Sequence, residues 1–343
     1  MRTVYSDQHH LHHGNAELHD GQMVPCFEMP RRAQMILDRV RAVGLGEVIA
    51  PDAFGVDPIR RVHTADYVDL LATAWRDWTA LGRTNDALPL VWPVRSLRGD
   101  RVPSHIDGRL GYYSLDASAP ITAGTWEALQ AGADVACTAA QLLVQGEPSA
   151  FALTRPPGHH AAAAAMGGYC YVNNAAVAAQ YLADHGCPRV AIIDVDYHHG
   201  NGTQQIFEAR GDVLFLSIHA DPVTEYPYFL GYADERGIGA GEGATHNYPL
   251  PFGATWDGYA EALSAACGVI RAWGPDAIVV SLGVDTYEHD PISEFKLTKG
   301  DYPRMGEALA SLGRPTMFVM EGGYAVDDIG VNAVSVLTGF EGR

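Results

Sequence analysis

Val190-Ala-Ile-Ile-Asp194-Val-Asp196-Tyr-His198-His199-Gly-Asn201 decides the fold of this chain. A short β-rich apolar run passes directly into a cluster of acids and histidines. Three other runs end the same way. Ser149 to Leu153 leads into Arg155-Pro-Pro-Gly-His159-His160, Ile278 to Leu282 into Gly283-Val-Asp285, and Met317 to Met320 into Glu321-Gly-Gly-Tyr324. Short apolar strands separated by helical stretches indicate a parallel sheet. Ligands of such sheets bind outside the carboxyl ends of the strands. His, Asp and Tyr delivered to one edge by four strands predict a single catalytic centre, with metal-assisted hydrolysis as its chemistry.

Working outward, several helical stretches close on a glycine, as a left-handed C′ residue requires. Arg32 to Val43 stops at Gly44, Thr125 to Gln145 at Gly146, and Asn174 to His185 at Gly186. Trp256 to Trp273 stops at Gly274 and Asp301 to Leu312 at Gly313. Strands are predicted between them at Val190–Asp194, Val213–Ile218, Ala277–Leu282 and Thr316–Met320, and Met1 to Asp7 reads as a first strand. The alternation is that of an α/β fold with helices on both faces of one mostly parallel sheet. No linker or repeat interrupts it, so residues 1–343 read as one domain. From about Trp78 to Ala123 the rhythm breaks: prolines at 89, 93, 103 and 120 accompany Trp78, Trp92, Tyr112 and Tyr113. A long irregular insertion with this aromatic content reads as an active-site cover or a dimer interface rather than a disordered segment.

The charge balance is 23 basic against 41 acidic residues, a net −18. Non-specific nucleic-acid binding needs a basic footprint, so this balance argues against it. A negative field suits cationic substrates, although acidic surfaces also serve plain solubility. No run approaches the roughly 18 apolar residues of a membrane span. The first residues carry no apolar signal region. Five widely spaced cysteines without a CxxC pair suit reduced thiols and a cytoplasmic protein.

Side chains at i and i+2 share a strand face, so Asp196 and His198 can reach one ion together, and Asp285 can join from a neighbouring strand. Three N/O ligands with an open position suit a catalytic zinc, while Fe(II) or Co(II) accept the same set. His159 and His160 follow a Pro-Pro-Gly turn that can aim both rings at one site, where histidine transfers protons. The two glycines before Tyr324 let its hydroxyl bend inward to stabilise an oxyanion, though a core tyrosine would look the same in isolation. Cys170 reads as a small buried hydrophobe rather than a nucleophile. Two other motifs are set aside. Gly237-Ile-Gly239-Ala-Gly241-Glu-Gly243 lacks the flanking strand and helix of a dinucleotide loop. The His9, His10, His12, His13 cluster reads as a solvated loop.

RPPGHH, GGYCYVNN, DVDYHHGNGT, SLGVDTYEHDP and EGGY resemble the zinc-dependent histone deacetylase superfamily, the arginase–deacetylase fold, over nearly the whole chain. Asn201, where the class I branch has an acid, is similar to the class II and bacterial branches. The Glu17 region, SHIDGRLGYYSLDASAPITAGTWEAL and DPVTEYPYFLGYA resemble the bacterial acetylpolyamine amidohydrolases within it.

That resemblance implies Asp196, His198 and Asp285 as ligands of one zinc per subunit. It implies His160 as general base and then general acid, oriented by Asn201. His159, hydrogen-bonded by Asp194, would stay protonated as electrostatic support, and Tyr324 would polarise the amide carbonyl. Tyr169 and Tyr226 would wall a tunnel, Glu17 would meet a distal ammonium, and Arg32 would line an inner channel. Asp194 and Ser217 would help hold a structural potassium ion. Water would be the nucleophile, with no covalent intermediate. The implied substrates are small acetylated cationic amines such as acetylputrescine, acetylcadaverine and acetylspermidine, giving acetate and free amine. The 78–123 insertion would pair two subunits and narrow the entrance. Three alternatives stand beside this: a protein or peptide lysine deacetylase, a non-catalytic zinc-pocket module, and a dinuclear arginase-type hydrolase needing further bridging carboxylates.

Overall fold

A computed structural model describes residues 1–19 and 21–342. In chain order its strands are β1 (Arg2–Val4), β2 (Glu17–His19), β3 (Gln22–Val24), β4 (Val48–Ile49) and β5 (Ser149–Ala152). They continue with β6 (Val190–Asp194), β7 (Val213–Ala220), β8 (Thr245–Leu250), β9 (Ala277–Leu282) and β10 (Thr316–Met320). The helices are α1 (Arg31–Val43), α2 (Asp57–Arg60), α3 (Ala65–Thr79), α4 (Ile106–Tyr112) and α5 (Thr125–Val144). After them come α6 (Asn174–Asp184), α7 (Asn201–Phe207), α8 (Trp256–Trp273), α9 (Asp301–Ala310) and α10 (Val326–Phe340).

Eight strands form one sheet in the order β4-β1-β5-β10-β9-β6-β7-β8, every neighbouring pair parallel. The four runs that open the sequence reading are β5, β10, β9 and β6, consecutive in the middle of the sheet. That adjacency brings their polar ends together. β2 and β3 make a separate antiparallel hairpin.

Strand periodicity divides the core between the two faces. Phe151, Ile193, Val280 and Phe318 pack on the face covered by α1, α8, α9 and α10. Their neighbours Ala152, Ile192, Val279 and Val319 pack on the other, against α5 and α6. Strands buried on both sides read as unbroken apolar runs, which is why these four stand out in the sequence. Truncating one of these large side chains to alanine costs about 2–5 kcal/mol.

The glycine stops hold: Gly44 and Gly274 close α1 and α8 in the left-handed conformation, at φ 62° and 69°. The structure adds α3, α10 and the edge strand β8, which the sequence reading did not place. Residues 78–123 are more ordered than an irregular insertion. Trp78 lies within α3, α4 follows, and Ile106, Leu110, Tyr113 and Ile121 pack with α3 and α5 in a third core. Between them Leu90, Val91, Val94 and Leu97 are exposed, Leu90 by 84 %. The Gly237–Gly243 segment is a short turn whose backbone packs on Glu208 and Arg210. The histidine cluster departs from expectation: His9 and His12 are buried. Arg155 reaches across to the carbonyl oxygens of His9 and His12 and pulls this segment inward.

Candidate active site

The turn after β5 carries His159 and His160 with ring centroids 4.0 Å apart. Glu321, at the end of β10, holds that turn by accepting the backbone N–H groups of Gly158 and His159. Asp194 ends β6, and its carboxylate lies 3.0 Å from His159 Nδ1. Asn201 opens α7, and its Oδ1 lies 2.7 Å from His160 Nδ1. The Asn201 amide nitrogen donates to the carbonyl of His160, so Oδ1 is the face presented to the ring. That contact places the proton on Nδ1 and leaves Nε2 of a neutral His160 unprotonated.

The two histidines separate electrostatically. Burial opposes charge on His159, but Asp196 and Asp194 outweigh it and raise its pKa well above the ordinary value. Burial, then the charges of His159 and His198, push His160 well below it. A cationic and a neutral imidazole side by side are an electrostatic stabiliser and a proton acceptor.

Asp196, His198 and Asp285 converge at the ends of β6 and β9, all buried, with ligand atoms within 4.8 Å of one another. Backbone N–H groups of His198 and Gly322 orient Asp196, and that of Tyr197 orients Asp285. His198 Nδ1 lies 3.2 Å from Asp285 and 3.5 Å from Asp196. Burial disfavours charge on His198, yet the two carboxylates raise it to about 10, the behaviour of a point built for positive charge. A Cβ at Gly322 would lie 2.5 Å from an oxygen of each carboxylate, so glycine keeps this cradle clear. One imidazole and two carboxylates fit a divalent metal with a position left for water or substrate. A second group, His159, Cys170 and Glu321, is equally compact. In this second group His159 Nδ1 already faces Asp194, and one Glu321 oxygen already accepts the Gly158 and His159 N–H groups.

The metal cradle opens into a cavity of about 410 Å³ whose walls include His160, Tyr169, His198, Tyr226 and Tyr324. Tyr226 stands edge-on to His160 at 5.0 Å, and Tyr169 edge-on to Tyr324 at 5.4 Å. Tyr169 has φ 65°, a left-handed conformation that non-glycine residues rarely adopt, here at the cavity wall. Burial holds the Tyr324 phenol protonated, hence a donor. Arg32 lies over its ring at 4.6 Å and donates to the carbonyls of Gly323 and Glu321. Asp194 and Ser217 are register partners on β6 and β7, with Ser217 Oγ 2.8 Å from His219 Nδ1.

Glu17 is buried behind Tyr169, accepting its hydroxyl at 2.7 Å and the Phe27 N–H at 3.1 Å. It borders a small void of about 10 Å³ behind that ring, and its neighbours Leu18 and His19 line the main cavity. Acidic groups the sequence reading did not single out do line the cavity: Asp116, from the insertion, and Glu225, beside Tyr226. Asp116 accepts the Gly168 N–H, and Glu225 the Tyr197 hydroxyl. Both lie inside the motifs that carry the resemblance, but nothing local distinguishes them from surface acids. Glu28 was also missed. It is buried between Arg155 and Arg32, whose charges outweigh its burial and keep it ionised.

The histone deacetylase domain model matches residues 26–340. The chain belongs to the histone deacetylase family. Within that family it is 62 % identical to acetylpolyamine amidohydrolase 2 of Pseudomonas aeruginosa, over all of this chain and 99 % of the relative. It is 49 % identical to the acetylpolyamine amidohydrolase of Mycoplana ramosa, over the full length of both. The crystal structure of the Burkholderia pseudomallei acetylpolyamine aminohydrolase superposes with a TM-score of 0.94 at 39 % identity, covering 99 % of this chain and 98 % of that one. The strand ends of this family fold bring a candidate metal-binding group, Asp196, His198 and Asp285, beside the electrostatically split histidine pair.

Proposed function

We propose that this chain is a metal-dependent acetylpolyamine amidohydrolase, releasing acetate and a free amine from small acetylated cationic amines. The observation that carries the reading is the full-length 62 % identity to a relative of that name. The cavity that His160, His198 and Tyr324 line together supports it.

Asp196, His198 and Asp285 would hold the metal. Zinc is the reading, with Fe(II) and Co(II) as ions the same donors accept. When bound, it supplies Lewis-acid polarisation of the acetyl carbonyl and a lowered pKa for water. His160 Nε2 takes the proton of the attacking water and returns it to the leaving amine, while Asn201 fixes the ring. Cationic His159 offsets negative charge developing beside it. Tyr324 donates to the oxyanion. The aromatic walls of Tyr169 and Tyr226 hold the alkyl chain, and their π faces favour a nearby ammonium. Glu17 acts by holding Tyr169 and by adding negative potential, and Asp116 and Glu225 add to it at the wall.

Further parts of the reading are a structural potassium ion near Asp194 and Ser217, a homodimer formed through residues 78–123, and residence in the cytoplasm. The exposed apolar segment from Leu90 to Leu97 supports the dimer, and five unpaired thiols suit a reducing compartment. No helix among the described residues is long and apolar enough to cross a membrane.

The deciding experiment measures acetate release from acetylputrescine, acetylcadaverine and acetylspermidine against an acetyl-lysine peptide, with Tyr324→Phe as control. A large kcat/KM preference for the small amines is expected, with a loss on the order of 10²–10³ in the control. Preference for the peptide would replace this reading with a protein deacetylase. Absence of turnover in the metal-loaded protein would favour a binding module.

A further inference from the structure

We propose that Asp290 is a positioning residue for Tyr324, and that through it one turn of chain sets the phenol relative to the metal cradle. The inference rests on Tyr324 being the oxyanion donor.

Asp290 follows Asp285 on the same loop and is buried. Its Oδ2 accepts two consecutive backbone N–H groups, those of Tyr324 at 2.6 Å and Ala325 at 3.1 Å. Its Oδ1 accepts the N–H of Ile292 at 3.2 Å, which fixes the carboxylate plane. The loop is closed on itself by Asp290 N–H to the Tyr287 carbonyl and by Glu288 N–H to the Leu297 carbonyl, both 2.9 Å. The chain that presents Asp285 to the cradle therefore also grips the backbone of Tyr324. Ala325 immediately precedes α10, so the same side chain also accepts the N–H that leads into that fifteen-residue helix.

The other side of the segment is anchored too, by Gly322 N–H to Asp196 at 2.8 Å. Between the two anchors lies Gly323 at φ 122°, where a Cβ would meet Val284 Cγ2 at 2.7 Å. A glycine pivot has many accessible conformations, so its flanking hydrogen bonds decide which one Tyr324 occupies. Arg32 steadies the ring laterally from α1, whereas Asp290 ties the backbone to the turn bearing Asp285. A displacement of about 1 Å between a reacting atom and its stabilising donor can cost about 10²-fold in rate.

The test is a double-mutant cycle on the metal-loaded enzyme: Asp290→Ala, Tyr324→Phe and the double variant, with Asp290→Asn alongside. Asp290→Ala is expected to lower kcat on the order of 10–100-fold, with KM within about threefold and metal content per chain unchanged. Asp290→Asn keeps one oxygen acceptor for the Tyr324 and Ala325 N–H groups, giving up only the Ile292 contact on the far side, and is expected to stay within about threefold of the parent kcat. With Tyr324→Phe in place there is no hydroxyl left to misplace, so adding Asp290→Ala should cost less than about threefold more. Equal losses in both backgrounds, a loss that follows metal content, or full activity of Asp290→Ala would each overturn the inference. If Asp290→Ala does not fold, Asp290→Asn decides: a hundredfold loss at full metal content would overturn it. Full turnover by Tyr324→Phe would remove the reading of Tyr324 itself, and this inference with it.

Discussion

His160 Nδ1 lies 2.7 Å from the amide oxygen of Asn201, whereas its neighbour His159 faces a carboxylate. A neutral partner orients His160 without attracting charge to it. Asn201→Asp supplies a negative charge at the same place and raises the pKa of His160, because an adjacent anion favours the protonated ring. The base must be neutral to act, so the acidic limb of kcat/KM should move to higher pH by about 1–2 units. Unchanged limbs in the pH–rate profile would show that His160 does not titrate in that limb.

Asp196 and Asp285 are both buried, and neither has a lysine or arginine as ion-pair partner among the described residues. Besides His198, only His159 Nε2, 3.8 Å from Asp196, offsets their charge, and His159 also faces Asp194, so the carboxylates stay electrostatically unbalanced without a further cation. Chelation should therefore lower the melting temperature as well as activity, and one equivalent of zinc should restore both. At a thousandfold excess over Kd the metal contributes about 4 kcal/mol. Elemental analysis is expected to give one divalent metal per chain; two would indicate a dinuclear hydrolase.

Glu17 touches the Tyr169 hydroxyl and the Phe27 N–H, and burial raises its pKa. Glu17→Gln should then change KM for acetylputrescine by no more than about threefold, since no direct ion pair is lost. Tyr169→Phe should destabilise the fold by about 1–3 kcal/mol, because one carboxylate oxygen loses its donor while buried. A tenfold or larger rise in KM for Glu17→Gln would restore Glu17 as a direct contact.

The site was legible where chain order and chemistry coincide. β5, β6, β9 and β10 are buried on both faces, so each reads as an apolar run whose end is marked by the first polar residue. β8 was not legible because it is the sheet edge: Thr245-His-Asn-Tyr-Pro-Leu is only partly buried and carries Pro249, which an edge tolerates. His9 and His12 looked solvated because polarity is a local property. Their burial comes from Arg155, more than 140 positions away, through hydrogen bonds to carbonyls that no sequence pattern marks. Asp290 was visible in its motif, but its grip on Tyr324 depends on two loops meeting.

Leu90, Val91, Val94 and Leu97 expose apolar surface on the insertion. Contiguous exposed apolar side chains of this kind mark association surfaces. Leu90→Glu with Val94→Glu should shift the protein to monomer in sedimentation without lowering its melting temperature at matched dilution. If the wild type sediments as a monomer at micromolar concentration, the dimer reading fails at once.

His63 gives the molecule a calculable acid sensitivity away from the metal cradle. Its Nδ1 lies 2.9 Å from the Ala162 carbonyl, and its Nε2 accepts the Asn173 N–H at 2.9 Å, so only the neutral ring satisfies both. Burial pushes its pKa down to about 4 from an ordinary 6.5. Between those values the unfolded chain binds the proton and the folded one does not, so stability rises with pH across the window. Above pH 6.5 the contribution is flat. Below it stability falls by up to about 1.4 kcal/mol per pH unit, until protonation of the folded form near pH 4 ends the slope. Unfolding midpoints in urea from pH 7 to pH 4 should show this slope, and His63→Gln, less stable at pH 7, should show it reduced by about one proton. An undiminished slope in His63→Gln would assign the acid sensitivity to other buried histidines such as His12, which burial lowers to about 3.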